Sequence, residues 1–306
     1  MTTQRILNFM GGRKLAAAFS IALLLCAIVS LSVKGLVLGL DFTGGSQVEV
    51  GYPQAADLTL VRQQLTESGF ENPVVVYFGS ESDVLIRMQG KPDEGLAESV
   101  MKSLDPNNTG DLELRRVDYV GPQVGEELRE DGGLGMLAAL AVVMLYVAIR
   151  FQYKFALGAV AALVHDVIIT LGFFSITGLE VDLTVLAAVL AVIGYSLNDT
   201  IVVADRIREN IRLLREEDLI SVINESLTQT LGRTLITSLT TIFVLVALFV
   251  FGGELIHNFS IALIVGVVIG TYSSIYVAAN MLLLLGMKRE DLLPPEREGA
   301  EFDELP

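Results

Sequence analysis

The sequence predicts a polytopic α-helical membrane protein with six transmembrane helices and a small α+β, ferredoxin-like domain between the first two. Three observations carry this. Of 306 residues, 52% are hydrophobic and the mean hydropathy is +0.57, above the habit of soluble proteins. The chain also holds 36 Asp+Glu against 21 Lys+Arg, for a net charge of −15, so charge and apolarity must be segregated along it. Finally, six runs approach or exceed the roughly 20 residues with which an apolar helix crosses a bilayer: 15–33, 132–149, 155–179, 183–204, 234–253 and 259–287. Inside these runs the only carboxylates, imidazoles or basic groups are His165, Asp166 and Asp199.

Composition excludes several function classes. An acidic chain does not neutralise phosphates, so nucleic acid is not an expected partner. One cysteine, Cys26, rules out an internal disulfide framework and a cysteine zinc site. Two histidines, His165 and His257, leave little for a histidine metal cluster. No metal or other cofactor is expected.

Residues 1–14 carry Arg5, Arg13 and Lys14 ahead of the first span. A cleaved signal peptide has an apolar region of about 7–15 residues and an A-x-A-like site. The run 15–33 is longer and leaves through Leu31-Ser32-Val33-Lys34, which favours an uncleaved helix. Residues 34–131 suffice for one small domain. In it, 36–50 is strand-like around a turn at Asp41-Phe42-Thr43-Gly44-Gly45, and 57–68 reads as a helix stopped by Gly69. Residues 73–78 and 84–88 form a hairpin about Gly79-Ser80-Glu81-Ser82; 93–104 is a second helix and 112–120 a last strand. The order β-α-β-β-α-β is that of a split βαβ unit. Its 18 acids and 8 bases are scattered, without a phosphate loop, nucleophile elbow or metal-ligand spacing. The domain reads as a binding or mechanical part, and no enzyme is expected.

Residues 132–287 hold the other five spans. Arg150 and Lys154 lie between spans two and three, Arg206, Arg208, Arg212, Arg215 and Arg233 between four and five, and Lys288, Arg289 and Arg297 after six. The opposite short loops at 180–182 and 254–257 hold no Lys or Arg. The positive-inside rule therefore places both termini in the cytoplasm and 34–131 outside. Within 205–233, residues 205–214 mix both charge signs with Ile207, Ile211 and Leu214, the pattern of a helix lying on the inner membrane face, with a solvated linker as the plainer alternative. Residues 288–306 form an acidic tail of disordered composition.

An ionisable group inside a span costs about 2.5–3.5 kcal/mol on insertion scales and points to function. Asp199 follows Tyr195, Ser196 and Asn198; Tyr195 and Ser196 sit about one turn before it. It lies about 25 Å from the outer end of its helix, and Arg233, opening the next span, lies about 28 Å from that helix's outer end. The two reach similar depth, although Arg233 also suits a plain interface residue. His165 and Asp166 are about 100° apart around a helix, so they cannot both face one partner; a proton path and a buried packing contact both remain open. Gly266 and Gly270 form a GxxxG pattern, extended by Ser274 and Ala278, that lets helix backbones approach. Asp166 with Asp199 also invites comparison with intramembrane aspartyl proteases, but the YD and GxGD contexts are absent.

Several motifs together resemble one family. Leu40-Asp41-Phe42-Thr43-Gly44-Gly45 resembles the LDFTGG signature of the SecD/SecF family of protein-export membrane subunits, on its SecF branch. Val120-Gly121-Pro122-Gln123-Val124-Gly125, His165-Asp166, Ser196-Leu197-Asn198-Asp199-Thr200 and Gln229-Thr230-Leu231-Gly232-Arg233-Thr234 are similar to further motifs of that family. The resemblance implies a resistance-nodulation-division type architecture in the bacterial inner membrane with a periplasmic domain. It implies SecD, the SecYEG channel, YajC and exported unfolded polypeptides as partners, and protons as the coupling ion. It also implies Asp199 and Arg233 as a proton-coupled pair, to which position in the spans adds Asp166 as a relay candidate and His165, Asn198, Tyr195 and Ser196 as candidate supports. The alternative is a structural scaffold for the translocase without proton transfer.

Overall fold

The structure, a computed structural model of the chain, describes residues 6–88, 95–106, 110–150, 152–214 and 218–287. The expected tail at 288–306 and the first two residues of the helix expected at 93–104 lie outside them.

Helix α1 (Arg13–Val33) is followed by a two-residue strand β1 (Val37–Leu38), a single helical turn α2 (Leu40–Thr43) and strand β2 (Gly45–Gly51). The expected strand around a turn is thus corrected: Asp41, Phe42 and Thr43 are helical. Gly44 (φ 71°) and Gly45 (φ 148°) then turn the chain into β2, in backbone conformations that side-chain-bearing residues rarely adopt. Helix α3 (Leu58–Glu67) starts at Asp57, which accepts from Thr59 N (2.8 Å) and Leu60 N (3.3 Å) as an N-cap, and Gly69 at φ 93° ends it. Strands β3 (Val74–Phe78) and β4 (Ser80–Met88) form the hairpin around Gly79, tighter than the four-residue turn expected. Helix α4 (Leu96–Leu104) and strand β5 (Glu113–Val120) complete the unit. The sheet order is β3-β4-β2-β5, antiparallel throughout, with Val48 opposite Ile86 and Val50 opposite Val84. These four side chains are fully buried with Val61, Leu65 and Val100 from the helices, a separate hydrophobic core for the domain.

Five long helices follow: α5 (Pro122–Arg150), α6 (Tyr153–Thr177), α7 (Leu183–Leu213), α8 (Leu219–Phe251) and α9 (Glu254–Leu284), with strand β6 (Glu180–Val181) between α6 and α7. With α1, they give six helices long and apolar enough to cross a membrane. Helices α6, α7 and α9 form the centre, whereas α1, α5 and α8 leave broad apolar faces outward, among them Val142, Leu145, Phe243 and Val244. Such faces suit lipid or neighbouring helices rather than water.

Residues 205–213 do not form a separate helix on the membrane face. They continue α7, with Ile207 and Ile211 buried and Asn210 donating to Ser226 Oγ and Gln229 Oε1 of α8, each at 2.9 Å. An amphipathic stripe looks the same whether it covers lipid or another helix. Likewise most of the expected loop 205–233 is helical, because α7 runs to Leu213 and α8 begins at Leu219 behind an Asp218 N-cap. Arg233 is therefore well inside α8 rather than at its start. The segment before α1 tucks against α8 through Met10 N to Asn224 Oδ1 (2.9 Å) and Leu7 N to Thr228 Oγ1 (3.1 Å).

Candidate functional site

Asp199 is buried near the middle of α7, at 3% exposure. Its Oδ2 has no hydrogen-bond partner among the described residues, nor do the buried hydroxyls of Thr200 beside it and of Thr234 on α8. Arg233 is exposed on α8 and makes no ion pair with Asp199 among the described residues. The two residues lie about 24 Å and about 27 Å from the same end of their antiparallel helices. Expected neighbours of Asp199 turn elsewhere. Asn198 is exposed, Tyr195 donates to Ser238 Oγ (3.3 Å), and Ser196 donates to a different carboxylate.

That carboxylate is Asp166, at 1% exposure. Its Oδ2 accepts from Ser196 Oγ of α7 (2.5 Å) and Ser273 Oγ of α9 (2.7 Å), and its Oδ1 meets His165 Nδ1 (2.9 Å). His165 and Asp166 do not share a partner on the neighbouring helices, as their angular separation requires, but they bind each other. The imidazole folds back onto the carboxylate, while its ring also lies 6.3 Å from that of Tyr272. One acid thus ties three central helices.

Close backbone approach makes this possible. A Cβ at Gly270 would stand 3.1 Å from Ser196 Cβ and 3.5 Å from Asp166 Oδ2, and one at Gly266 would collide with Val192. Glycines four apart on α9 therefore seat against residues four apart on α7.

Sequence reading passed over Thr271–Ser274 as helix filler, apart from Ser274. In the bundle, Thr271 pairs with Ser238 of α8 (2.6 Å), Tyr272 with Ser20 (3.0 Å) and Ala16 O (2.7 Å) of α1, and Ser273 with Asp166 of α6. Four consecutive polar residues in an apolar helix were the available signal, since each hydroxyl in a membrane interior needs a partner.

The Asp41–Gly45 signature sits at the domain end of the bundle. Asp41 Oδ2 accepts from Leu183 N at the first turn of α7 (3.1 Å), and Phe42 is buried with Phe174, Val181, Val185, Ala188 and Ala262. Gly125 of α5 lies against it, since a Cβ there would stand 2.9 Å from Gly44 N. Nearby, β1 pairs with β6 in parallel. Among the described residues no group of three or more His, Cys, Asp or Glu could hold a metal ion.

Fold and site together define a polytopic integral membrane protein whose bundle buries two carboxylates and carries a docked ferredoxin-like domain. Comparison with known proteins narrows this. Residues 99–288 match the model "Protein export membrane protein SecD/SecF, C-terminal", and residues 29–56 match "SecD/SecF GG Motif". The chain is 49% identical over 311 residues to a protein translocase subunit SecF of Vibrio alginolyticus, covering 100% of this chain and 99% of the relative. It is 53% identical over 298 residues to the SecF subunit of Pseudomonas aeruginosa, covering 97% of each. A crystal structure of SecDF, a translocon-associated membrane protein from Thermus thermophilus, superposes with a TM-score of 0.81 at 34% identity. That match covers 94% of this chain but 40% of the longer one. The chain belongs to the SecD/SecF family of protein export membrane proteins, among the SecF subunits of the protein translocase.

Proposed function

We propose that the chain is the SecF-type half of a SecD–SecF complex in the bacterial inner membrane, using the proton-motive force to promote late protein translocation. In this reading both termini are cytoplasmic and the ferredoxin-like domain is periplasmic. SecYEG, YajC and the unfolded exported chain are its partners. The observation that carries it is Asp199: a carboxyl buried in the bundle with an oxygen that has no partner among the described residues, and an arginine at similar depth on the next helix. A carboxylate placed so is costly while charged, and a proton arriving there removes both its charge and its pull on Arg233.

The driving energy suffices. Each charge crossing 100 mV supplies about 2.3 kcal/mol, and each unit of pH difference about 1.4 kcal/mol. That biases a two-state movement of the domain against the bundle. Asp166 is built differently: with three partners on its carboxylate it suits holding α6, α7 and α9 while Asp199 exchanges the proton. In vesicles, Asp199→Asn is expected to assemble normally and lose the proton-dependent part of translocation. Unimpaired translocation would overturn the reading, and lost assembly would favour the scaffold alternative.

A further inference from the structure

The sheet of the α/β domain meets the bundle through one charged contact. Arg87, in the central strand β4, donates from Nη1 to Glu180 Oε2 at 3.3 Å, with both side chains about four-fifths buried. Among the described residues this is the one ion pair joining the sheet to the helical bundle.

Glu180 is also bound from other sides. Its backbone oxygen accepts from Asn258 Nδ2 of α9 (2.9 Å), and its strand pairs with β1. The approach is tight: a Cβ at Gly39 would stand 3.0 Å from Asp182 Cβ and 3.1 Å from Glu180 Oε1. One loop residue thus touches the sheet, the linker that carries the Asp41–Gly45 signature, and the first turns of α9. Three residues later the same loop enters α7, whose N-terminal N–H groups are held by Asp41 and Asp182. Arg87 is held less completely, because its Nε is buried without a partner among the described residues. A half-engaged guanidinium of this kind is fixed by one acceptor and shifts when that acceptor shifts.

We propose that Arg87 and Glu180 are positioning residues for transport: they set how the α/β domain stands on the bundle and carry movement at the head of α7 into the centre of the sheet. The inference rests on the proton-coupled reading only for its consequence in transport; the joint itself stands on the contacts above. Removing one partner leaves the other half-buried and unpaired, whereas removing both leaves neither charge stranded.

The test is a double-variant cycle in the full chain, with Cys26 replaced by Ser and reconstituted in lipid nanodiscs. Spin labels at Glu67 on α3 and Phe251 at the end of α8, both exposed, report the distance between domain and bundle by pulsed electron resonance. Arg87→Gln and Glu180→Gln are each expected to raise the displaced population about fivefold relative to the docked one, the scale of a partly buried pair. The double variant is expected to return toward wild type. Unchanged distributions in both single variants would overturn the joint. So would a double variant as displaced as the two singles combined, which marks independent damage to the sheet. Translocation in vesicles should fall in the singles and recover in the double. An intact distance cycle with unchanged translocation would overturn the transport role alone. Failure of the Asp199→Asn test would leave the distance cycle untouched, so the two ideas fail separately.

Discussion

Replacing Asp166 with alanine removes the one acceptor shared by Ser196 of α7, Ser273 of α9 and His165. Hydrogen bonds between membrane helices average about 0.6 kcal/mol and reach about 1.7, while those to charged groups in soluble proteins run about 1.5–3 kcal/mol. Three donors on a carboxylate at 1% exposure therefore place the loss at about 2–4 kcal/mol, and the vacated volume adds to it because Gly270 leaves no side chain to fill the space. Asp166→Asn separates shape from charge. The amide oxygen still accepts from both serines and its nitrogen donates to His165, so its loss should stay near 1 kcal/mol. The assay is reversible unfolding of the bundle in mixed micelles, followed by an optical probe of helix separation. A loss below about 1 kcal/mol for alanine, or an asparagine variant as unstable as the alanine one, would refute the claim that this carboxylate ties three helices.

The other predictions use the same logic. Gly266→Ala should cost about 1–3 kcal/mol, because its Cβ meets the branched Val192 side chain; Gly270→Ala, whose Cβ would be 3.1 Å from Ser196 Cβ, should change stability by under about 1 kcal/mol, since better helix propensity offsets the crowding. The same unfolding assay ranks the two, and equal losses would refute the contact geometry. Phe42→Ala should cost about 3–5 kcal/mol of local stability and raise hydrogen exchange at Gly39 N, which is bonded to Val181 O at 2.8 Å, with unchanged exchange as the contrary result. The Glu180 carboxyl titrates above its ordinary 4.5, chiefly through burial, with Arg87 opposing, Asp182 adding, the Leu40 N–H opposing and Asp41 adding. Because Arg87 holds that rise in check, Arg87→Gln should push the Glu180 titration higher still. An infrared titration of the carboxyl, assigned by its loss in Glu180→Gln, reads this, and an unchanged titration in Arg87→Gln would refute it.

The sequence by itself determined the six spans, the β-α-β-β-α-β order of the domain, and which few ionisable groups enter the membrane. These follow from local quantities: apolar run length, residue periodicity and turn chemistry act over neighbouring residues and need no knowledge of what packs on them. Tertiary structure decided the rest. Asp166 finds its partners 30 and 107 residues away, and no local pattern says which serine will face which acid. The pairing of β1 with β6 involves two residues on each side, too few for any period to show. Residues 205–213 carry an amphipathic stripe that fits lipid or protein equally, and only the buried Asn210 bridge to α8 settles it. Asp199 and Asp166 look alike as intramembrane acids in the sequence. They differ in the fold because Asp166 has three partners and Asp199 keeps an oxygen with none among the described residues.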